Sequence, residues 1–204
     1  MINSKLTKVV IVVVICLLAI MLYQENNQNK KFERYFSQIL SNDQNDLIES
    51  ILYSREEVDN ILSANFSLES KHDLINSMNN VSMMSQDLVY FSDQLDLIDP
   101  RKINNSTSAV AMYLEVYFSR LDPTKLTKED KGNLKGILTL LNQWVAVINE
   151  EYDGITYENK NEVIGNVLND KRKDFFDSDV WRNIIVGLER VSKDNMTFAK
   201  SINS

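Results

Sequence analysis

Side chains able to do covalent or metal chemistry are scarce in this sequence. It has one histidine, His72, and one cysteine, Cys16. Cys16 lies inside an apolar run, so a Cys-His or Ser-His-Asp constellation outside that run has to be built around His72. His72 stands between Lys71 and Asp73, off the apolar positions of its segment, and reads as a solvated surface residue. The same shortage excludes histidine- and cysteine-based zinc sites. The five glycines are scattered, none in a GxGxxG or GxxxxGK arrangement, so no phosphate-cradling loop is expected. Paired carboxylates are the one catalytic chemistry left open, because sequence does not show which acids converge. The reading is of a protein that is not an enzyme, with no cofactor and no metal.

One acidic stretch invites a metal reading, Asn149-Glu-Glu-Tyr-Asp-Gly-Ile-Thr-Tyr-Glu-Asn-Lys160. Aligned as a calcium loop, it places Gly154 at the turn and Asn149, Glu151 and Asp153 at positions one, three and five. Position twelve needs a glutamate that supplies two oxygens, and here it is Lys160. An acidic turn between two helices is the better description. Tyr152 and Tyr157 flank that turn and are the expected partner-contact residues. Trp144 and Trp181 fall on apolar stripes and are expected in the core. Lys171-Arg172-Lys173, bracketed by Asp170 and Asp174, reads as a solvated helix end.

The elements that position these residues are helical. Two prolines and five glycines leave little turn punctuation, and no strand alternation of useful length occurs. From about residue 29 to 65, the rows Phe36, Leu47, Val58 and Leu40, Ile51, Leu62 repeat every eleven residues, as on one face of a nearly straight helix. The weak helix formers Ser41-Asn-Asp-Gln-Asn45 mark a possible break. A second helix opens at Ser67, carries Leu74, Val81, Met84, Leu88, Phe91, Leu95 and Ile98 on a coiled-coil-like seam, and stops at Asp99-Pro100. The short link between the two predicts an antiparallel hairpin. A third helix covers about 104–121, with Val110, Tyr113, Leu114, Tyr117 and Leu121 on one face, and ends at Asp122-Pro123. Thr127-x-x-Asp130 resembles a capping box opening a fourth, which runs to about Glu150. A short helix follows over 162–171 and a last one begins near Ser178. The fold class expected is all-α: one N-terminal transmembrane helix, then a bundle of about four long amphipathic helices plus a short one.

The transmembrane expectation rests on Val9 to Tyr23, fifteen residues without a charge, preceded by Lys5 and Lys8. At about 1.5 Å per residue this is ~22 Å of helix against a ~30 Å hydrocarbon core. Lys8 can snorkel and Tyr23 suits the opposite interface, so a short span is reasonable. A cleaved signal peptide would need small residues before the cut, and none follow Ala19 in that pattern. The organisation read from this is a cytoplasmic tail over 1–8, an anchor over 9–23, a polar spacer over 24–31 and a helical bundle over 32–204. The cations on the two sides nearly balance, but Lys5 and Lys8 lie closer to the run than Lys30, Lys31 and Arg34, which favours a bundle outside the cytoplasm over the reverse orientation.

The formal charge is -7. That acidity opposes nucleic acid as a partner. The functional expectation is a single-pass, membrane-anchored helical interaction protein whose bundle binds another envelope or membrane protein, itself unidentified by sequence. The alternative is a sensory or ligand-binding helical ectodomain working through a separate output protein, because eight residues before the span cannot form one.

Overall fold

The computed structural model describes residues 4–63, 66–171 and 175–203, with backbone alone for 4–12 and 167–171. Among them are six α-helices and two 3-10 turns, and no strand. α1 spans Ser4–Leu62, α2 Leu68–Gln94, α3 Ser106–Arg120, α4 Lys128–Asn149, α5 Lys160–Lys171 and α6 Asp179–Ser201. The helix starts follow local chemistry. Ser67 Oγ accepts from the Ser70 amide, and Ser178 Oγ accepts from the Val180 amide. Thr127 and Asp130 form a reciprocal capping box.

Five helices close into a ring in the order α1, α2, α3, α6, α4 and back to α1. The pairings fix their directions. Phe36 meets Phe91, and further along Tyr53 meets Asp73, so α2 runs antiparallel to α1. Ser82 with Ser108 and Lys71 with Leu121 set α3 antiparallel to α2. Gln44 with Tyr152 and Arg55 with Asn142 do the same for the α1–α4 side. Trp144 with Ser192 and Gln143 with Asn195 make α4 and α6 antiparallel, which leaves α3 and α6 parallel. Ring closure buries Leu47, Ile51, Leu74, Val81, Leu114, Ile137, Trp144, Trp181 and Leu188 in one core. Trp144 and Trp181 are both fully buried, as their stripe positions predict.

Several boundaries differ from the sequence reading. The weak formers at 41–45 do not break α1, because Ser41 and Gln44 are packed inside the ring. Ser41 Oγ returns its proton to the Gln38 carbonyl one turn back, satisfying itself within the helix. α2 stops at Gln94, short of Asp99-Pro100; Asp96 adopts φ 52° and Leu95 is 41% exposed, off the expected seam. That seam is also wider than a coiled-coil stripe, since α2 buries Ser82, Ser85 and Ser92 as well while packing on both α1 and α3. Asp99 instead caps a 3-10 turn over Pro100–Lys102.

The N-terminal half of α1 stands outside the ring. Residues 13–35 are all exposed, and the expected spacer 24–31 is helix continuous with what precedes and follows it. Among the described residues no helix is long and apolar enough to cross a membrane. Side chains of the expected anchor are described only from Val13 onward. Side chains of Val9 to Val12 lie outside the described residues, as do Arg172 and Lys173 of the basic cluster.

Candidate functional site

Each of α1 and α2 presents a polar ridge beside its buried stripe. On α1 it is Asp46, Glu49, Ser50 and Tyr53; on α2 it is Asp73, Asn76, Ser77 and Asn80. Both sets recur at the three- and four-residue spacing of one helix face. Antiparallel pairing brings the ridges together as the walls of a groove of about 410 Å³, which Tyr157 also lines.

The α4–α5 loop delivers Tyr157. Gly154 turns the chain at φ 69°, a conformation that strains residues with a Cβ. Asn149 Oδ1 accepts from the Ile155 amide at 3.1 Å, Asn159 Oδ1 accepts from Thr156 at 2.7 Å, and Asn159 Nδ2 donates to the Gly154 carbonyl at 2.9 Å. Asn149, position one of the would-be calcium loop, therefore uses its side-chain oxygen to hold the turn. Among the described residues no group of three or more acidic, histidine or cysteine side chains is placed to hold a metal ion.

Lys160, at position twelve of that loop, is buried beside two of the groove's lining residues, Glu49 and Tyr157. Its Nζ lies 3.1 Å from Glu49 Oε1 and 3.6 Å from the Tyr157 ring centroid, and donates to the Tyr157 carbonyl at 3.3 Å. Tyr157 in turn meets Tyr53 edge to face, centroids 5.5 Å apart. Tyr53 donates its hydroxyl to Asp73 Oδ2 at 3.1 Å. Burial first, and then the Asp73 carboxylate at its hydroxyl, push the Tyr53 phenol well above its ordinary range, so it stays a donor. With no histidine, cysteine or metal-ligand cluster in its lining, the groove is equipped to bind charge and π-surface.

The two expected contact tyrosines part company. Tyr152 is 1% exposed and accepts a 3.4 Å hydrogen bond from Gln44 inside the ring, so it is not on an exposed contact surface. The turn's Gly154 lies outside, but the preceding turn of chain still continues the apolar face of α4 inward, which is why Tyr152 is core. Tyr157 is half-buried and lines the groove. His72 is exposed one residue from Asp73 and lines none of it. The sequence signal for the groove is polar residues at helical spacing on two helices expected to pair, and it becomes a site only when the register of that pair is fixed.

A second polar constellation is structural. Glu189 on α6 is buried and accepts from the amides of Asn104, Ser106 and Thr107, each at 2.9 Å. Asn105, at the cap position of α3, has φ 55° and makes no side-chain capping bond, so Glu189 caps α3 from the neighbouring helix α6. Compared with known proteins, the chain matches no family model, no curated protein and no solved structure.

Proposed function

We propose that this chain is a single-pass, membrane-tethered, non-enzymatic module whose helical bundle lies outside the cytoplasm and binds another membrane or envelope protein. The observation that carries the tether is the state of Val13 to Tyr23. These residues share one uninterrupted helix with the core positions Leu40 to Ile61, yet every one of them is exposed, from Val14 at 47% to Tyr23 at 72%. Monomeric soluble proteins rarely leave so much contiguous apolar surface in water. Val9 to Val12 lengthen the same run toward Lys8, giving a short span with the lysine snorkelling at one interface and Tyr23 at the other.

The partner reading is supported by apolar side chains exposed where the bundle meets the stalk. Phe32 and Tyr35 on α1 are 59% and 62% exposed, and Tyr90, beside the Phe36-contacting Phe91 on α2, is 65% exposed. Phe32 and Tyr35 stand about 14–18 Å along α1 from Tyr23, beyond lipid headgroups and at the height of a neighbouring membrane protein's outer segment. Two measurements test the proposal. The full chain is expected in carbonate-washed membranes and a chain lacking 1–23 in the soluble fraction; a soluble full chain sinks the tether. A photo-crosslinking residue at Tyr35, Tyr90 or Tyr157 is expected to give a discrete adduct in membranes, and none at any of the three sinks the partner.

A further inference from the structure

We infer that the α1–α2 groove is a binding site for a small organic polycation, of the linear polyamine class. The inference goes beyond the tethered-module reading and does not depend on it. Its first ground is the charge left in the groove. Of its three carboxylates, Glu49 is paired with Lys160, whereas Asp46 and Asp73 have no basic partner among the described residues. Two uncompensated anions on one groove favour a ligand carrying more than one positive centre.

The second ground is an unpartnered hydroxyl. Ser50 is 6% exposed, lines the groove, and has no hydrogen-bond partner for its side chain among the described residues. Its oxygen is not among the sealed, unpartnered polar atoms of the interior, so it opens onto the groove, where a ligand's donor can reach it. Asn76, Ser77 and Asn80 on the facing wall are likewise without side-chain partners there. An ammonium group donates three hydrogen bonds, and carboxylates, hydroxyls and amide oxygens are the acceptors that take them.

The third ground is that the chain already performs this recognition on itself. The Lys160 ammonium sits on one carboxylate, Glu49, and over one tyrosine ring, Tyr157, both lining the groove. The remaining lining repeats those elements with Asp46, Asp73 and the Tyr53 ring. Cation–π attraction and carboxylate pairing both favour an alkylammonium. A bare metal ion fits poorly, because the acids do not converge into a ligand cluster. A volume of about 410 Å³ is within the range of small-molecule sites.

The test is isothermal titration of spermidine into the full chain in neutral detergent at physiological salt. Saturable binding is expected, weakened at least tenfold by Asp46→Asn and by Asp73→Asn. Asp153→Asn, which removes the same charge from the exposed loop, should leave affinity within twofold, and magnesium at equal ionic strength should not displace the amine. Thermal unfolding of each variant checks that it folds; Asp46 is exposed, so Asp46→Asn decides the matter if Asp73→Asn does not. Absence of saturable binding to the wild-type chain overturns the inference. So does equal binding by Asp46→Asn, or equal displacement by magnesium, since either describes a diffuse acidic surface.

Discussion

Glu189→Ala removes a carboxylate that no cation neutralises among the described residues and that three amides hold. Hydrogen bonds to a charged group contribute about 1.5–3 kcal/mol each, and a buried donor left without a partner costs about 1–3 kcal/mol. Asn104 is exposed, so water replaces that bond at little cost; Ser106 and Thr107 are buried and cannot be rescued. Two stranded amides, together with the lost favourable charge at the start of α3, give a destabilisation of roughly 3–5 kcal/mol. For a chain of this size 1 kcal/mol moves the melting temperature by about 2–4 °C, so the expected drop is on the order of 10–15 °C. Glu189→Gln should fall between wild type and alanine. Its carbonyl oxygen can serve Asn104 and Ser106, while its NH2 group turns a donor toward the Thr107 amide. Circular-dichroism melts read the size of the effect, and amide hydrogen exchange locates it, with protection lost at Ser106 and Thr107 before the rest of α3. A melting temperature for Glu189→Ala within about 3 °C of wild type would refute the argument that this side chain is the cap of α3.

Three further outcomes are expected. A Cβ at Gly187 would strike Val147 Cγ1 on α4, whereas a Cβ at Gly165 meets nothing within 4 Å. Gly187→Ala should therefore lower the melting temperature despite its better helix propensity, and Gly165→Ala should raise stability by up to about 1 kcal/mol. Thr127→Ala breaks the capping box of α4 and should cost about 1 kcal/mol in a denaturant titration. Asp43 has its carboxyl raised above its ordinary value of 3.8 by burial first, then by Asp87 and Asp46. A raised folded value means the protonated form favours the fold, a contribution present below 3.8 and lost as pH rises through the raised value. Asp43→Asn should consequently melt higher than wild type at pH 7, by at most about 1 kcal/mol, and the gap should close as the pH falls toward 4. A gap that widens on acidification would contradict that sign.

What could be read from sequence was what local chemistry decides. Ser67, Thr127 with Asp130, and Ser178 start helices because a side-chain oxygen within three residues satisfies an orphan amide, and that information is contiguous. The stripes holding Trp144 and Trp181 were visible for the same reason. What could not be read depends on residues far apart in the chain. Gln44 and Ser41 look like helix breakers until the fold buries them both and Tyr152 meets Gln44. Glu189 is indistinguishable from a surface acid of α6 until the start of α3 is laid beside it, more than eighty positions away. Lys160 and Glu49 become a pair only when the ring closes. The expectation of an exposed Tyr152 failed on direction: the turn is outside, but that side chain points in.

The unbroken hydrogen bonding of α1 turns the stalk into a device that stores phase as well as height. Each residue of a helix advances the chain by about 1.5 Å and rotates it by about 100°. With Leu40 to Ile61 locked into the ring and the exposed apolar turns upstream on the same rod, the heading of the bundle about its axis is set by the number of residues between them. Adding one residue within 24–35 would swing the α1–α2 groove by about a quarter turn or more while lifting it hardly at all. Removing seven would lower it by about 10 Å yet leave its compass bearing nearly unchanged. A length of helix whose residues are all exposed thus determines which way every other surface of the molecule looks.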